Sequence, residues 1–225
     1  MGTGSARYAG AGRGRPFHRH HFFEDNFARF DPRAWAVEAE AGDPSASATV
    51  QDGALLLNAQ RGLTLWLRTQ LIGHYDISYT CTIPMPDRPQ DWPHARLSDM
   101  NCFWEAQLAD GNAPFARSGK FEDYDKLQLF YAGIGGNTNT TTRFRYYDGS
   151  GERRLLQEYT EPAYLLQANR PYRMRIVVDA QGTRLYRDEQ LLFSKPGPMA
   201  GGGYFGFRST ASRQKIEGFT VRRIA

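Results

Sequence analysis

An all-β chain folded as a sandwich or jelly roll is what this sequence predicts, on three observations. Short apolar-alternating runs recur from Phe22 to the end. Turn residues punctuate many of the gaps: Asp52-Gly53, Pro84 to Asp87, Asp110-Gly111, Gly133 to Gly136 and Asp148 to Gly151. No long stretch carries helical periodicity, and many short strands with this punctuation are the pattern of a β-sandwich. The 225 residues suit one large domain, because no Pro/Ser-rich linker or charge block divides them.

The expected strands, in order, are 22–27, 34–39, 47–51, 54–59, 63–69, 74–83, 100–108, 126–132 and 141–147. They continue at 153–158, 172–179, 183–188, 191–194, 203–208 and 214–223. A short helix is expected around 161–167, opened by Glu161-Pro162. Residues 1–21 are Gly/Ala/Arg-rich and cannot bury enough surface to order themselves, so they read as a disordered leader or an engineered remnant. The domain is then 22–225. The histidines His18, His20 and His21 read as part of that basic tail, since no Cys or carboxylate follows at ligand spacing.

The net charge of +4 is mildly basic and scattered. No nucleic-acid-binding motif accompanies it, and an acidic small molecule or polysaccharide fits the balance at least as well. No apolar run approaches a membrane span, so the chain reads as soluble. Cys81 and Cys102 lie in strand-like runs that can pair, and a disulfide and two buried thiols both remain open.

The stretch from Asp123 to Tyr147 carries the functional signal. It alternates aromatics with Lys, Gln, Asn, Thr and Arg, a mixture suited to a polar, ring-shaped ligand such as a sugar. Arg143 and Arg145 share a strand face with Thr141, where planar guanidinium groups can grip an acid. Two aligned arginines are costly to bury without an anionic partner. Asn137 and Asn139 read as loop ligands for hydroxyls, and ordinary turn chemistry is the alternative. Tyr131 and Tyr124 are the proton-transfer candidates, on the expectation that neighbouring positive charge lowers a phenol's pKa. Lys120 and His94 are placed near them.

In 96–104 alternation puts Asn101 and Phe103 on one face and Cys102 and Trp104 on the other. Asn101 is offered to a sugar hydroxyl and Asp99 or His94 to the groove rim, with Asp99 as a plain turn-former the alternative, and Trp104 goes to the core. Arg208 ends a strand and faces either the same groove or solvent. The chain shows no Ser/His/Asp arrangement, no Gly-x-Ser-x-Gly elbow and no paired-carboxylate glucanase motif, which weighs against a retaining glycosidase.

The runs SDMNCFW, SGKFEDYDKLQLFYAGIGGNTNTTTRFRYY, NRPYRMRIVVD and GYFGFRST resemble a bacterial family of domains of unknown function. That family is assigned a concanavalin-A-like jelly roll and is associated with polysaccharide utilisation. The resemblance spans roughly Phe22 to Ile224. It implies two antiparallel sheets with a concave groove, and a last strand that pairs back with FFEDNF near the start. It also implies a secreted or periplasmic carbohydrate-active protein, near in fold to jelly-roll polysaccharide lyases. Those lyases hold a uronate carboxylate with Arg, Asn, Gln or His and move protons with Tyr or His.

The expected function is therefore a polysaccharide lyase cleaving a uronic-acid-containing glycan by β-elimination. Tyr131, Tyr124, Lys120, His94 and Arg143 are its catalytic candidates, and Asn101, Asn137, Asn139, Arg145 and Arg208 its substrate-binding ones. A non-catalytic carbohydrate-binding module, or a glycoside hydrolase using Asp99 or Asp125, is the alternative on the same fold. The expected partner is an acidic polysaccharide, with no nucleic acid and no membrane, met by a monomer. No cofactor is expected, although the fold admits a structural calcium ion.

Overall fold

Two strands far longer than their neighbours run through both halves of the structure, a computed structural model that describes residues 21–199 and 201–224. They are β4 (Ala54–Leu67) and β14 (Gly201–Arg223). The other strands are β1 (His21–Asp25), β2 (Trp35–Ala39), β3 (Ser47–Gln51), β5 (Leu71–Ile72), β6 (Tyr75–Thr82) and β7 (Met100–Gln107). They continue as β8 (Gln128–Gly135), β9 (Thr141–Asp148), β10 (Arg153–Tyr159), β11 (Tyr172–Asp179), β12 (Gly182–Arg187) and β13 (Gln190–Pro196). All pairings are antiparallel.

Sequence reading divides both long strands, at 59–63 and 208–214. The chain bends there without leaving the ladder. The register between β14 and β4 shifts between Thr210 and Ser212, with Ala211 at φ 47°. Such a bulge kinks a pair of strands while keeping them bonded. On one side of the kink the order is β10-β9-β8-β7-β14-β4-β2; on the other it is β13-β12-β11-β6-β14-β4-β3, with β1 also on β14. The expected closure is present: Phe23 pairs with Val221 and Asp25 with Phe219.

The two sheets pack face to face through aromatic rings. Phe144 of β9 stacks on Phe193 of β13 at 5.3 Å, and Tyr79 of β6 meets Phe207 of β14 edge-on at 5.0 Å. Trp104 is fully buried and its indole N–H donates to Thr183 Oγ1 across the sandwich at 2.8 Å. Burying rings this size supplies most of the core's driving force, and the indole donor finds the partner a buried indole needs.

Two expectations change, and one alternative left open is decided. The helix over 161–167 is only a 3-10 turn at Pro162–Tyr164. The Gly-rich bend lies one step later: β8 runs through Gly135, and Asn137, Thr138 and Asn139 make the turn in left-handed conformation. Cys81 and Cys102 are both free buried thiols, and burial pushes the Cys102 thiol up to about 12. The leader over 1–21 and its histidines lie outside the described residues, apart from the backbone of His21. Among the described residues no helix is long and apolar enough to cross a membrane.

Candidate functional site

Strand alternation sorts the first sheet into two faces. Phe130, Ala132 and Phe144 enter the main core, while Tyr131, Phe103 and Trp66 belong to a second apolar cluster on the outer face. Segment 108–127, between β7 and β8, lies over part of that outer face and contributes Phe121, Tyr124 and Leu127 to the cluster.

One lateral row of this face is polar almost throughout. Glu158 lies opposite Arg143, Arg143 opposite Gly133, and Gly133 opposite Asn101. Asn101 lies opposite Arg208, Arg208 opposite Thr64, and Thr64 opposite Glu38. Segment 108–127 covers one half of the row and leaves the other half as a cleft.

In the covered half the row's own polar side chains, Glu38, Thr64 and Arg208, are all matched, whereas Nε of Arg117 on the covering segment has no partner. Glu38 accepts from the Trp66 indole N–H at 3.0 Å, the Tyr124 hydroxyl at 2.8 Å and the Arg117 backbone N–H at 3.1 Å. Arg208 is 1% exposed and donates to Gly119 O at 2.6 Å, and to Thr64 Oγ1 and Thr210 Oγ1 at 3.2 Å. Gly119 has φ +85°, and a Cβ there would strike the backbone of Ala39 and Glu40. Only glycine lets the segment seat this closely.

The open half forms a cleft of about 470 Å³, lined by Asn101, Tyr131, Gly133, Asn137, Arg143 and Arg145, with Arg96, Asp99, Thr141 and Thr210 at one end and Phe121, Glu122 and Arg153 at the other. Here the polar groups are only partly matched. Asn101 donates its Nδ2 to Asp99 Oδ1 at 3.3 Å, which turns its carbonyl oxygen away from Asp99. That Asn101 Oδ1 is buried without a hydrogen-bond partner, as are Arg96 Nε and Arg145 Nε. Among the described residues no carboxylate pairs with Arg145, whose guanidinium lies 6.0 Å from the Tyr131 ring.

Arg143 differs from its neighbour. Glu158, opposite it across β9 and β10, forms an ion pair with it. The pair of arginines expected to await an anion is thus one compensated cation and one uncompensated one. Sequence reading did not weigh the strand that follows, which supplies the partner.

Tyr131 folds its ring over Gly133, where a Cβ would collide with the ring and its hydroxyl. The hydroxyl thereby reaches the polar row, and among the described residues nothing hydrogen-bonds it. Burial pushes this phenol well above its ordinary value; Asp99 and Tyr147 push the same way, and Arg145 and Arg208 oppose them. The expectation of a lowered pKa is corrected: desolvation outweighs the nearby arginines, so the Tyr131 phenol stays protonated at neutral pH.

The remaining candidates lie elsewhere. Tyr124 is buried on Glu38, and burial raises its phenol too. Lys120 and His94 are exposed and line none of the cleft. Asn139 clasps Leu166, donating to its carbonyl at 2.9 Å and accepting from its N–H at 2.8 Å, so it secures a turn. Arg208 faces neither the open groove nor solvent, being sealed beneath Gly119.

Arg96 and Arg153 are cleft residues that sequence reading missed. Arg153 lies opposite Tyr147 across the turn Asp148 to Gly151, a register the turn itself implies. Arg96 ion-pairs with Asp99 and donates to Thr210 O at 3.0 Å, a contact 114 residues distant that no local pattern announces. Asp125, a hydrolase candidate, accepts two hydrogen bonds from Arg153 at 2.7 and 3.0 Å. Among the described residues no group of three or more His, Cys, Asp or Glu is placed to hold a metal ion.

The pattern defining a domain of unknown function, DUF6250, matches residues 57–219. No curated protein matches the chain. Among solved structures, a Bacillus subtilis protein of unknown function with a galectin-like fold gives a TM-score of 0.70 at 15% identity, covering 90% of this chain and 96% of that one. The Bacillus subtilis carbohydrate-binding module CBM66 gives 0.54 at 10%, covering 84% and 95%. LamA from Z. galactanivorans, in complex with laminaritriose and laminaritetraose, gives 0.60 at 10%, covering 90% and 98%. At such identities the likeness establishes the jelly-roll sandwich and nothing finer.

Proposed function

The chain belongs to the DUF6250 family, and on that footing we propose that it binds an acidic glycan, with a uronate carboxylate on Arg145. The carrying observation is that three unmatched buried atoms gather at one cleft, Arg145 Nε, Arg96 Nε and Asn101 Oδ1, while Arg117 Nε and the Tyr147 hydroxyl, also unmatched, belong to residues outside its lining. A buried polar group without a partner is costly, and a ligand that supplies the missing partners recovers that cost. Two of these atoms are donors on cations and the third is an acceptor. A sugar ring bearing both a carboxylate and hydroxyls satisfies all three, and Tyr131 and Phe121 offer rings beside it. The solved neighbours include a carbohydrate-binding module and a protein holding laminari-oligosaccharides, which supports a glycan as the ligand class. Polymers of this kind are met outside the cytoplasm, so the proposal includes a secreted or periplasmic protein.

β-Elimination is the second reading, favoured by the free Tyr131 hydroxyl beside Asn101 and Arg143. In this reading, neutralising the carboxylate acidifies the proton at C5, and the protonated Tyr131 phenol would give its proton to the leaving oxygen. Removing the C5 proton with the same residue requires a phenolate. Burial disfavours that state, and a bound carboxylate disfavours it further. Binding is therefore the primary reading.

Calorimetric titration with oligoglucuronides, oligogalacturonides and alginate oligomers, against neutral laminari-oligosaccharides, tests both. Saturable binding of an acidic oligomer that Arg145→Ala weakens about tenfold or more is the expected result. Equal affinity for neutral oligomers, or no effect of Arg145→Ala, overturns it. The same mixtures followed in the far ultraviolet for unsaturated uronate report elimination, and a rising signal elevates the second reading.

A further inference from the structure

The outer face of the first sheet is no open trough. A glycan threading through it would need exposed surface from β10 across to β2. Beyond β7 that surface is gone: Thr64 and Trp66 are 0% exposed and Ala36 7%, beneath segment 108–127. Gly119, bonded to Arg208, seals that side.

A second wall closes the end near Tyr147. Arg153 reaches from the edge strand β10 to Asp125 on the segment through two hydrogen bonds, with the Phe121 ring 4.5 Å from its guanidinium carbon. Tyr147 and Leu129 beneath it are 0% and 1% exposed. This clamp ties the covering segment to the outermost strand of the sheet.

The third wall stands at the opposite end of β8. Arg96 joins Asp99 to the carbonyl of Thr210, bridging from the loop before β7 to the kink of β14. The left-handed turn carrying Asn137 continues it, held by Asn137 Nδ2 on Thr141 Oγ1 at 3.4 Å. The cleft volume of about 470 Å³ is on the scale of a small-molecule pocket.

We infer that the cleft receives the end of a glycan chain, one terminal acidic sugar and its near neighbours, and does not bind along the chain interior. The inference rests on the acidic-glycan reading above and adds the mode of engagement. A terminal unit enters from the side left open and presents its carboxylate to Arg145. An interior unit would have to continue through the clamp or beneath Gly119.

The test is a length series of one acidic oligosaccharide, from trimer to long polymer, titrated calorimetrically at equal sugar content and at equal chain number. A parallel arm uses oligomers capped at the reducing end and, separately, with the non-reducing terminal sugar modified. One protein bound per chain at every length, with binding abolished by modifying one end only, is the expected result. Stoichiometry that rises with chain length, or binding indifferent to both modifications, overturns the inference while leaving acidic-glycan binding intact. Absence of binding at every length overturns the underlying reading and this inference with it.

Discussion

Glu38 and Arg143 occupy the same lateral row of one sheet, yet the chain treats the two ends differently. Around Glu38 and Arg208 the segment 108–127 delivers a partner to each of these two side chains, and the pair is sealed. Around Asn101 and Arg145 no such segment arrives, and buried donors and an acceptor stand unmatched. Identical backbone geometry thus yields a sealed network in one half and an open, partly unmatched cleft in the other. A matched polar network rigidifies a fold, whereas an unmatched one invites a ligand or water.

That contrast is broken or sharpened by substitution. The largest effect is expected from Glu38→Ala, which strands the Trp66 indole, the Tyr124 hydroxyl and the Arg117 N–H. Unsatisfied buried groups cost about 1–3 kcal/mol each, so urea denaturation should show a loss of about 3 kcal/mol or more. A loss below about 1 kcal/mol would erase the distinction between the halves.

Arg145→Ala should behave in the opposite way. Stability should change by less than about 0.5 kcal/mol, because Arg145 has no carboxylate partner and makes only a loose ring contact with Tyr131. Affinity for an acidic oligosaccharide should fall about tenfold or more, the scale of one charge-assisted hydrogen bond.

Gly133→Ala probes the seat of Tyr131. The new methyl would push the ring out of the polar row. Affinity should drop several-fold while Tyr131→Phe, which keeps the ring, loses less; equal losses would place the hydroxyl, rather than the ring, at the contact.

The smallest effect concerns a carboxyl outside both halves. Glu105 sits at the end of β7 with the Tyr75 hydroxyl donating to it, and burial holds it above its ordinary 4.5. The folded chain therefore binds that proton more tightly than the unfolded one. Its stabilising contribution is complete below about 4.5 and is lost as pH rises through the raised folded value. Glu105→Gln should remove that slope and raise the urea midpoint at neutral pH; an unchanged slope would show that Glu105 is not its source.

Much of this was legible in the residues. Alternation placed Asn101 with Phe103 and Trp104 with the core, and put Thr141, Arg143 and Arg145 on one face, because side-chain direction in a strand has period two. Antiparallel closure of the last strand on the first was readable by resemblance. Five of the ten proposed site residues line the cleft: Asn101, Tyr131, Asn137, Arg143 and Arg145.

What local pattern could not convey was which groups meet partners from afar. Tyr124 and Tyr131 look alike in sequence, but one is bonded to Glu38, 86 residues away, and the other stands free. Arg208 looked like a surface or groove arginine until Gly119 closed over it. The places of most strands and the faces of their side chains follow from short-range periodicity and turn chemistry, so the chain alone determines them. Whether a polar side chain on those strands is satisfied depends on long-range packing of a connecting segment, and only the tertiary structure decides that.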